Sequence, residues 1–145
     1  MTAPSERQGV RSILVPVDGS ASSRRAVTLA AEIARAFGAT LTLLHVAPVK
    51  ELPVLMSEVK DPREDQQAEL VLGEDTKIAR GSGVEPSIVV RHGHTATQIL
   101  RQVEKSQPDL IVMGTRGLAG AKGVLLGSVS RVVYQKAKVQ VVLVC

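Results

Sequence analysis

Short apolar runs alternate with longer amphipathic stretches along this chain, and the alternation predicts its secondary structure. Five runs rich in Val, Ile and Leu are typical of buried strands. They occupy residues 12–17, 40–46, 87–91, 110–113 and 139–144. Between the runs, apolar residues recur at helical spacing. The first such face carries Ala26, Leu29, Ala30, Ile33, Ala34 and Phe37. This alternation implies right-handed crossovers and a parallel sheet covered by helices on both faces.

Glycine, proline and polar residues mark where the predicted helices begin and end. Gly38 follows the first helical face and is expected to stop it. Pro62 begins the second helix, because the N–H that proline lacks has no partner in a first turn. Thr95 and Gln98 have the spacing of a capping box at the start of the third helix. The fourth helix is expected over residues 128–136.

Length and composition favour one domain over residues 1–145, since a chain of this size buries roughly 68–70% of its unfolded surface. Phe37 and Tyr134 are the only aromatic residues, so the core is built from Val, Leu, Ile and Ala. Nucleic-acid binding through stacked bases needs aromatic platforms and is therefore not expected. The net charge of +4 favours an anionic ligand, although the basic residues form no run and are interpreted as solvated surface.

Features that would direct the chain to a membrane or to an oxidising compartment are missing from the sequence. No run of about 18 apolar residues is present for a membrane span, and residues 1–12 are too polar for a secretory signal. Cys145 is the only cysteine, which suits a reducing compartment. We therefore expect a soluble, cytoplasmic protein with no membrane partner.

A glycine-rich segment between the fourth apolar run and the last helix is the most informative motif. Gly114, two residues, Gly117, nine residues, and then Gly127 and Ser128 form its frame. At an average glycine content of about 7%, an accidental match at these positions has a chance of roughly one in a hundred. In such a loop, backbone N–H groups converge on an anion with help from the helix dipole. The frame therefore predicts a phosphate-binding loop.

Each residue near this frame also has an explanation without a ligand. The glycines can serve as turns, and Ser128 as a helix cap. Arg116 either pairs with a phosphate or is solvated. Met113 packs against a ligand or fills a gap in the core. Taken singly, the turn and cap explanations are favoured for the glycines and Ser128, but the shared frame reverses that preference.

Two segments carry a resemblance to a known family. Residues 109–117, DLIVMGTRG, with residues 125–130, LLGSVS, closely resemble the signature of the universal stress protein family in its ATP-binding branch. Residues 13–20, ILVPVDGS, resemble the family's first strand with its aspartate turn. The resemblance implies an α/β fold of three layers, α/β/α, with a five-stranded parallel sheet of order 3-2-1-4-5. This is a Rossmann-like fold of the adenine-nucleotide-binding type.

With that strand order, the winding direction reverses between strands 1 and 4, and ligands bind at such a point beyond the carboxyl ends of the strands. Asp18 and the glycine loop then face one crevice. The Asp18 carboxylate is expected to hold the nucleotide or a phosphate-bound Mg²⁺, or else to cap the first helix. By resemblance, the backbone of Pro16, Val17 and Val46 lines the adenine slot.

The resemblance therefore implies ATP and Mg²⁺ as cofactors at one site. Its expected residues are Pro16, Val17, Asp18, Ser20, Val46, Met113, Gly114, Arg116, Gly117, Gly127, Ser128, Val129 and Ser130. No catalytic residue is assigned, because Asp18 is the only evident general base and no arginine stands at a defined place for phosphoryl transfer. The hypothesis is a nucleotide-dependent regulatory module in stress tolerance. The alternatives are a slow ATPase and an interaction protein that binds no nucleotide.

The histidines and the last strand lead to two further expectations. His92-Gly93-His94 resembles the HxGH motif of nucleotidyltransferases, but Arg91 stands where that motif needs histidine. These histidines also lack a zinc ligand set and are interpreted as loop residues. The strand over residues 139–144 would lie at a sheet edge with hardly any charge, and such an edge invites a partner strand. A homodimer through this edge is expected, as in the family.

Overall fold

Five parallel strands form one sheet in the order β3-β2-β1-β4-β5. The computed structural model of the protein describes residues 9–48, 62–116 and 126–145. Its elements are β1 Ser12–Val17, α1 Ala21–Phe37, β2 Thr40–Ala47, α2 Pro62–Gly81, β3 Ser87–His92, α3 Thr95–Ser106, β4 Leu110–Gly114, α4 Ser128–Lys136 and β5 Gln140–Val144. The three-layer fold and the strand order expected from the sequence are confirmed.

Two apolar clusters cover the two faces of the sheet. On one face, Ile13 and Val15 of β1 pack with residues of α1 and α2. On the other face, Leu14 of the same strand packs with Ile99 of α3 and Val133 of α4. Because both faces are buried, the central strands are apolar at consecutive positions and not at alternate ones.

The ends of α1 and α2 follow the turn chemistry expected from the sequence. Gly38 adopts the left-handed conformation, with a φ of 66°, and its N–H donates to the Ala34 carbonyl. A residue without a Cβ adopts this conformation without strain, so Gly38 stops α1 as predicted. Helix α2 begins at Pro62, which is also as predicted.

The predicted capping box at Thr95 is wrong. Helix α3 is capped by His94, whose Nδ1 accepts the Thr97 N–H at 3.5 Å. Gly93, at a φ of +135°, turns the chain directly from β3 into the helix. The Gln98 amide lies next to Gly93, but its Oε1 accepts a hydrogen bond from Arg91 at 3.3 Å and not from the backbone N–H of Thr95, as the capping box requires. His94 is therefore a helix cap, and His92 is the last residue of β3.

None of the helices within the described ranges is both long enough and apolar enough to cross a membrane.

Candidate functional site

The loops that follow β1 and β4 are tied together by side-chain hydrogen bonds. The two strands are neighbours in the sheet, at the point where its winding direction reverses. The Ser20 and Ser22 hydroxyls donate to the carbonyl oxygen of Arg116, at 3.1 and 2.6 Å. Ser20 and Arg116 are 96 residues apart in the sequence. The aspartate turn and the start of the glycine loop therefore meet in one place.

The aspartate turn has a defined internal geometry. Oδ1 of Asp18 accepts the N–H of Ser20 at 2.9 Å, and the N–H of Asp18 donates to the Ser23 hydroxyl at 3.2 Å. The Ser20 hydroxyl in turn accepts the Ser23 N–H, which makes Ser20 the N-cap of α1. Asp18 thus supports the capped helix start from two residues before it. Its half-buried carboxylate keeps a second oxygen, Oδ2.

Gly114 lies against the first turn of α1. A Cβ at this position would overlap the Ser22 hydroxyl oxygen and would lie 2.8 Å from two backbone atoms, Ser22 C and Ser23 N. The sequence suggested that this glycine lets a nucleotide approach the backbone. The structure gives a second reason for it, because α1 packs onto the end of β4 more closely than any side chain allows. The sequence signal for this contact is the small size of Ser22 and Ser23.

The carbonyl of Thr115 connects the end of β4 to the start of α4. It accepts the Gly127 N–H at 2.6 Å and the buried Ser130 hydroxyl at 3.1 Å. The Thr115 N–H donates to the carbonyl of Val144 at 2.8 Å, which extends the pairing of β4 with β5. Thr115 is 5% exposed, and its buried hydroxyl has no hydrogen-bond partner within the described part of the chain.

The start of α4 presents a group of backbone donors. Its N-cap, Gly127, makes no side-chain capping bond, whereas Ser20 and His94 cap α1 and α3. The first bond within α4 runs from the Arg131 N–H to the Gly127 carbonyl, at 3.0 Å. The N–H groups of residues 128–130 therefore have no acceptor inside the helix. Together with the helix dipole, such a terminus attracts an anion.

Several of the other expected site residues are buried. Pro16 is buried, and Val17, Val46 and Met113 are buried in the two apolar clusters. The carbonyl of Val17 accepts a hydrogen bond from Nδ1 of His45 when the ring carries its proton there, at 3.2 Å.

Three other expected site residues lie in the loop that follows β4 and in the first turn of α4. Arg116 and Ser128 are exposed, and Val129 is half-buried. Gly117 lies outside the described residues.

Asp75 of α2 is a residue near this site that sequence reasoning missed. It is 1% exposed, and neither carboxylate oxygen has a hydrogen-bond partner among the described residues. Burial raises the pKa of Asp75 from 3.8 to about 6; Arg24 opposes this increase, while the negative charges of Asp18 and Glu74 add to it. The sequence signal is one acidic residue among the apolar positions of the α2 face, and it is a weak one.

The histidines have structural roles in the described residues. His94 caps α3, His45 contacts Val17, and His92 is exposed at the end of β3. No group of three or more His, Cys, Asp or Glu side chains within the described ranges is arranged to hold a metal ion. A divalent cation here would need ligand atoms from another source, such as the oxygens of a bound phosphate.

Comparison with known proteins finds relatives over nearly the whole chain. Residues 9–144 match the Universal stress protein family. A universal stress protein of Methanocaldococcus jannaschii is 35% identical over 142 residues, which cover 92% of this chain and 81% of the relative.

Solved structures share the fold. A universal stress protein in complex with cAMP aligns with a TM-score of 0.76 at 26% identity, over 95% of this chain and 99% of that one. The universal stress protein from Archaeoglobus fulgidus in complex with dAMP aligns with a TM-score of 0.71 at 22% identity, over 93% and 98% of the two chains. Both of these structural neighbours bind an adenine nucleotide.

Proposed function

Because the chain belongs to the universal stress protein family, we propose that it is an ATP-binding member that works as a nucleotide-dependent regulatory module in stress tolerance. The observation that supports this proposal is the set of N–H groups at residues 128–130, which have no acceptor in α4, at a helix start that Gly127 and Ser130 tie to the Thr115 carbonyl after β4. The adenine nucleotides bound by two structural neighbours support the class of ligand. The proposed setting is the cytoplasm, where the free Cys145 stays reduced.

The residues present fit a nucleotide with a magnesium ion. The N–H groups of residues 128–130 would receive the phosphates, and the exposed guanidinium of Arg116 would add a positive charge. Asp18 would hold a phosphate-bound Mg²⁺, which prefers one or two carboxylates together with phosphate oxygens. When bound, the ion neutralises phosphate charge.

The adenine and the remaining loop residues complete the proposed site. The adenine would lie against the backbone of Pro16, Val17 and Val46, whose side chains are buried. Gly117 belongs to the same proposal, although it lies outside the described residues. Ser20 and Ser130 already use their hydroxyl hydrogens within the protein, so their contribution is to hold the two loops in place.

Retention of nucleotide after purification tests this function. Heat-denatured protein is expected to release ATP, and ATP with Mg²⁺ is expected to raise the Tm of the nucleotide-free protein. Asp18→Ala should weaken both effects because it removes the carboxylate from the crevice. Asp65→Ala, on the exposed side of α2, is the matched control and should behave like the wild type.

Phosphate release in the same samples separates binding from hydrolysis. We expect no multiple turnover, since the proposed role of Asp18 is to hold Mg²⁺ and no other general base is assigned at the crevice. Repeated turnover that Asp18→Ala abolishes would replace the regulatory module with an ATPase. Absence of both bound nucleotide and a Tm shift would contradict the proposed function.

We further propose a homodimer through the edge strand β5. Its residues 141–144 are apolar and half-buried, and among the described residues the strand has one neighbour, β4. Static light scattering at micromolar concentration should give the mass of a dimer. Gln140→Lys, at the exposed start of β5, should shift it toward a monomer, because an edge charge opposes strand pairing. Val90→Lys, on the opposite edge strand β3, is the control and should remain dimeric; a wild type that is only monomeric would contradict the proposal.

A further inference from the structure

Asp75 lies on the face of α2 that packs against α1. It is 1% exposed, and within the described part of the chain both of its carboxylate oxygens lack a hydrogen-bond partner. An ionised carboxylate in such a place loses its hydration without a compensating hydrogen bond. Burial therefore favours the protonated form of Asp75. Most buried polar groups in proteins are hydrogen-bonded, so this arrangement calls for an explanation.

The same face of α2 contacts the aspartate turn of the site. Val71 stands four residues before Asp75 and therefore lies on the same side of the helix, one turn earlier. Its Cγ2 lies 3.0 Å from the position that a Cβ on Gly19 would occupy, so it touches the turn between Asp18 and Ser20. A change in how α2 packs at Asp75 therefore reaches this turn through one side chain.

Charged groups approach Asp75 from each neighbouring element. Arg24 of α1 favours the carboxylate, while Asp18 of the turn after β1 disfavours it without sharing a hydrogen bond. On α2 itself, Glu74 also disfavours it, but Glu74 is exposed and paired with Lys77 at 3.4 Å.

Strand β2 contributes one more titratable group near Asp75. His45 of β2 lies on the sheet face that α1 and α2 cover, because it alternates with Leu41 and Leu43 of that cluster. Burial outweighs the attraction of Arg24 and places the pKa of Asp75 at about 6.

We propose that Asp75 is a proton-sensitive contact that fastens α2 to α1 when it is protonated and loosens α2, together with the Asp18–Ser20 turn, when it is ionised. The pKa of the folded state lies above that of the unfolded chain. The stabilisation by this group is therefore complete below the unfolded pKa of 3.8 and is lost as the pH rises through about 6. The packing change does not depend on the proposed nucleotide function; only its effect on ATP affinity does.

Amide hydrogen exchange of α2 in the nucleotide-free, full-length protein tests the inference. After correction for intrinsic rates, protection of α2 in the wild type should fall about tenfold between about pH 5 and about pH 7.5. This ratio follows from a carboxyl pKa of 3.8 when exposed and about 6 when buried. Asp75→Asn, which removes the charge and keeps the size, should make this protection independent of pH. Asp65→Asn, an exposed carboxylate on the same helix, should keep the wild-type dependence.

Two outcomes would overturn the inference: α2 protection in the wild type that does not change with pH, or a change that persists in Asp75→Asn. If Asp75→Asn does not fold, Arg24→Gln provides the test. It removes the favourable charge opposite Asp75 and should make the loss of protection larger than tenfold. An unchanged loss in Arg24→Gln would contradict the assigned electrostatics.

ATP affinity measured at the same two pH values tests the link to the site, and this step rests on the proposed function. In the wild type, the affinity for ATP should be higher at about pH 5 than at about pH 7.5. In Asp75→Asn, this ratio of affinities should be smaller. Equal pH dependence in the two proteins would overturn the link. Absence of ATP binding at both pH values would count against the nucleotide function, and the exchange result would still decide the role of Asp75.

Discussion

Gly114→Ala is expected to lower the free energy of unfolding by about 3 kcal/mol, because overpacking of a close contact typically costs about 1–3 kcal/mol and more where backbone must move. The added methyl group would overlap the Ser22 hydroxyl oxygen. It would also lie 2.8 Å from Ser22 C and Ser23 N, which are backbone atoms and cannot rotate away. Helix α1 would have to move off β4, and the hydrogen bonds of Ser22 to Arg116 would lengthen.

Urea unfolding followed by far-UV circular dichroism measures this change. Gly73→Ala is the matched control, since no neighbouring side chain or other element lies within 4 Å of its added Cβ. Gly73 is an exposed residue in the middle of α2. It should raise the free energy of unfolding by about 0.5–1 kcal/mol through helix propensity. A Gly114→Ala protein as stable as the wild type would show that α1 does not pack on β4 as described.

Ser128→Pro is expected to weaken ATP binding by about 10–100-fold while leaving the fold intact. Ser128 is the first residue of α4, where proline is well tolerated. Gly127 before it has a φ of −67° and a ψ of 164°, the extended conformation that a residue before proline prefers. The substitution removes one N–H from the proposed phosphate site. Loss of a hydrogen bond to a charged group is worth about 1.5–3 kcal/mol, which corresponds to that range of Kd.

Isothermal titration calorimetry with ATP and Mg²⁺ measures the effect, and Ser128→Ala serves as the control. Alanine removes the hydroxyl and keeps the N–H, so its affinity should stay within about threefold of the wild type. Equal losses in the two variants would assign the contact to the hydroxyl and contradict a backbone phosphate site. Urea unfolding of Ser128→Pro should match the wild type within about 0.5 kcal/mol.

Much of the fold could be predicted because its elements depend on local patterns. The first apolar run predicted the bounds of β1 correctly. Gly38 predicted the end of α1, and Pro62 predicted the start of α2. The bounds of β2 and β3 were one residue short, since pairing of Ala47 with His92 extends both strands. That pairing is a tertiary contact, which the sequence of either strand does not contain.

The candidate site could be predicted less completely, for the same reason. The approach of the aspartate turn to the start of the glycine loop followed from strand order, and the Ser20–Arg116 hydrogen bond shows this approach at Arg116. The close approach of Ser22 to Gly114 depends on how a helix packs on a strand more than 90 residues later in the chain. The burial of Asp75 likewise depends on α1 and not on its own neighbours in sequence.

The central claim is that an adenine nucleotide binds where the β1 and β4 loops meet the start of α4. Amide chemical shifts of the ¹⁵N-labelled, nucleotide-free protein during a titration with ATP and Mg²⁺ test it residue by residue. We expect saturable shifts that are largest at the amides of residues 18–20, 114–116 and 127–130. Shifts that do not saturate at millimolar ATP, or that saturate at amides elsewhere on the sheet, would contradict the claim.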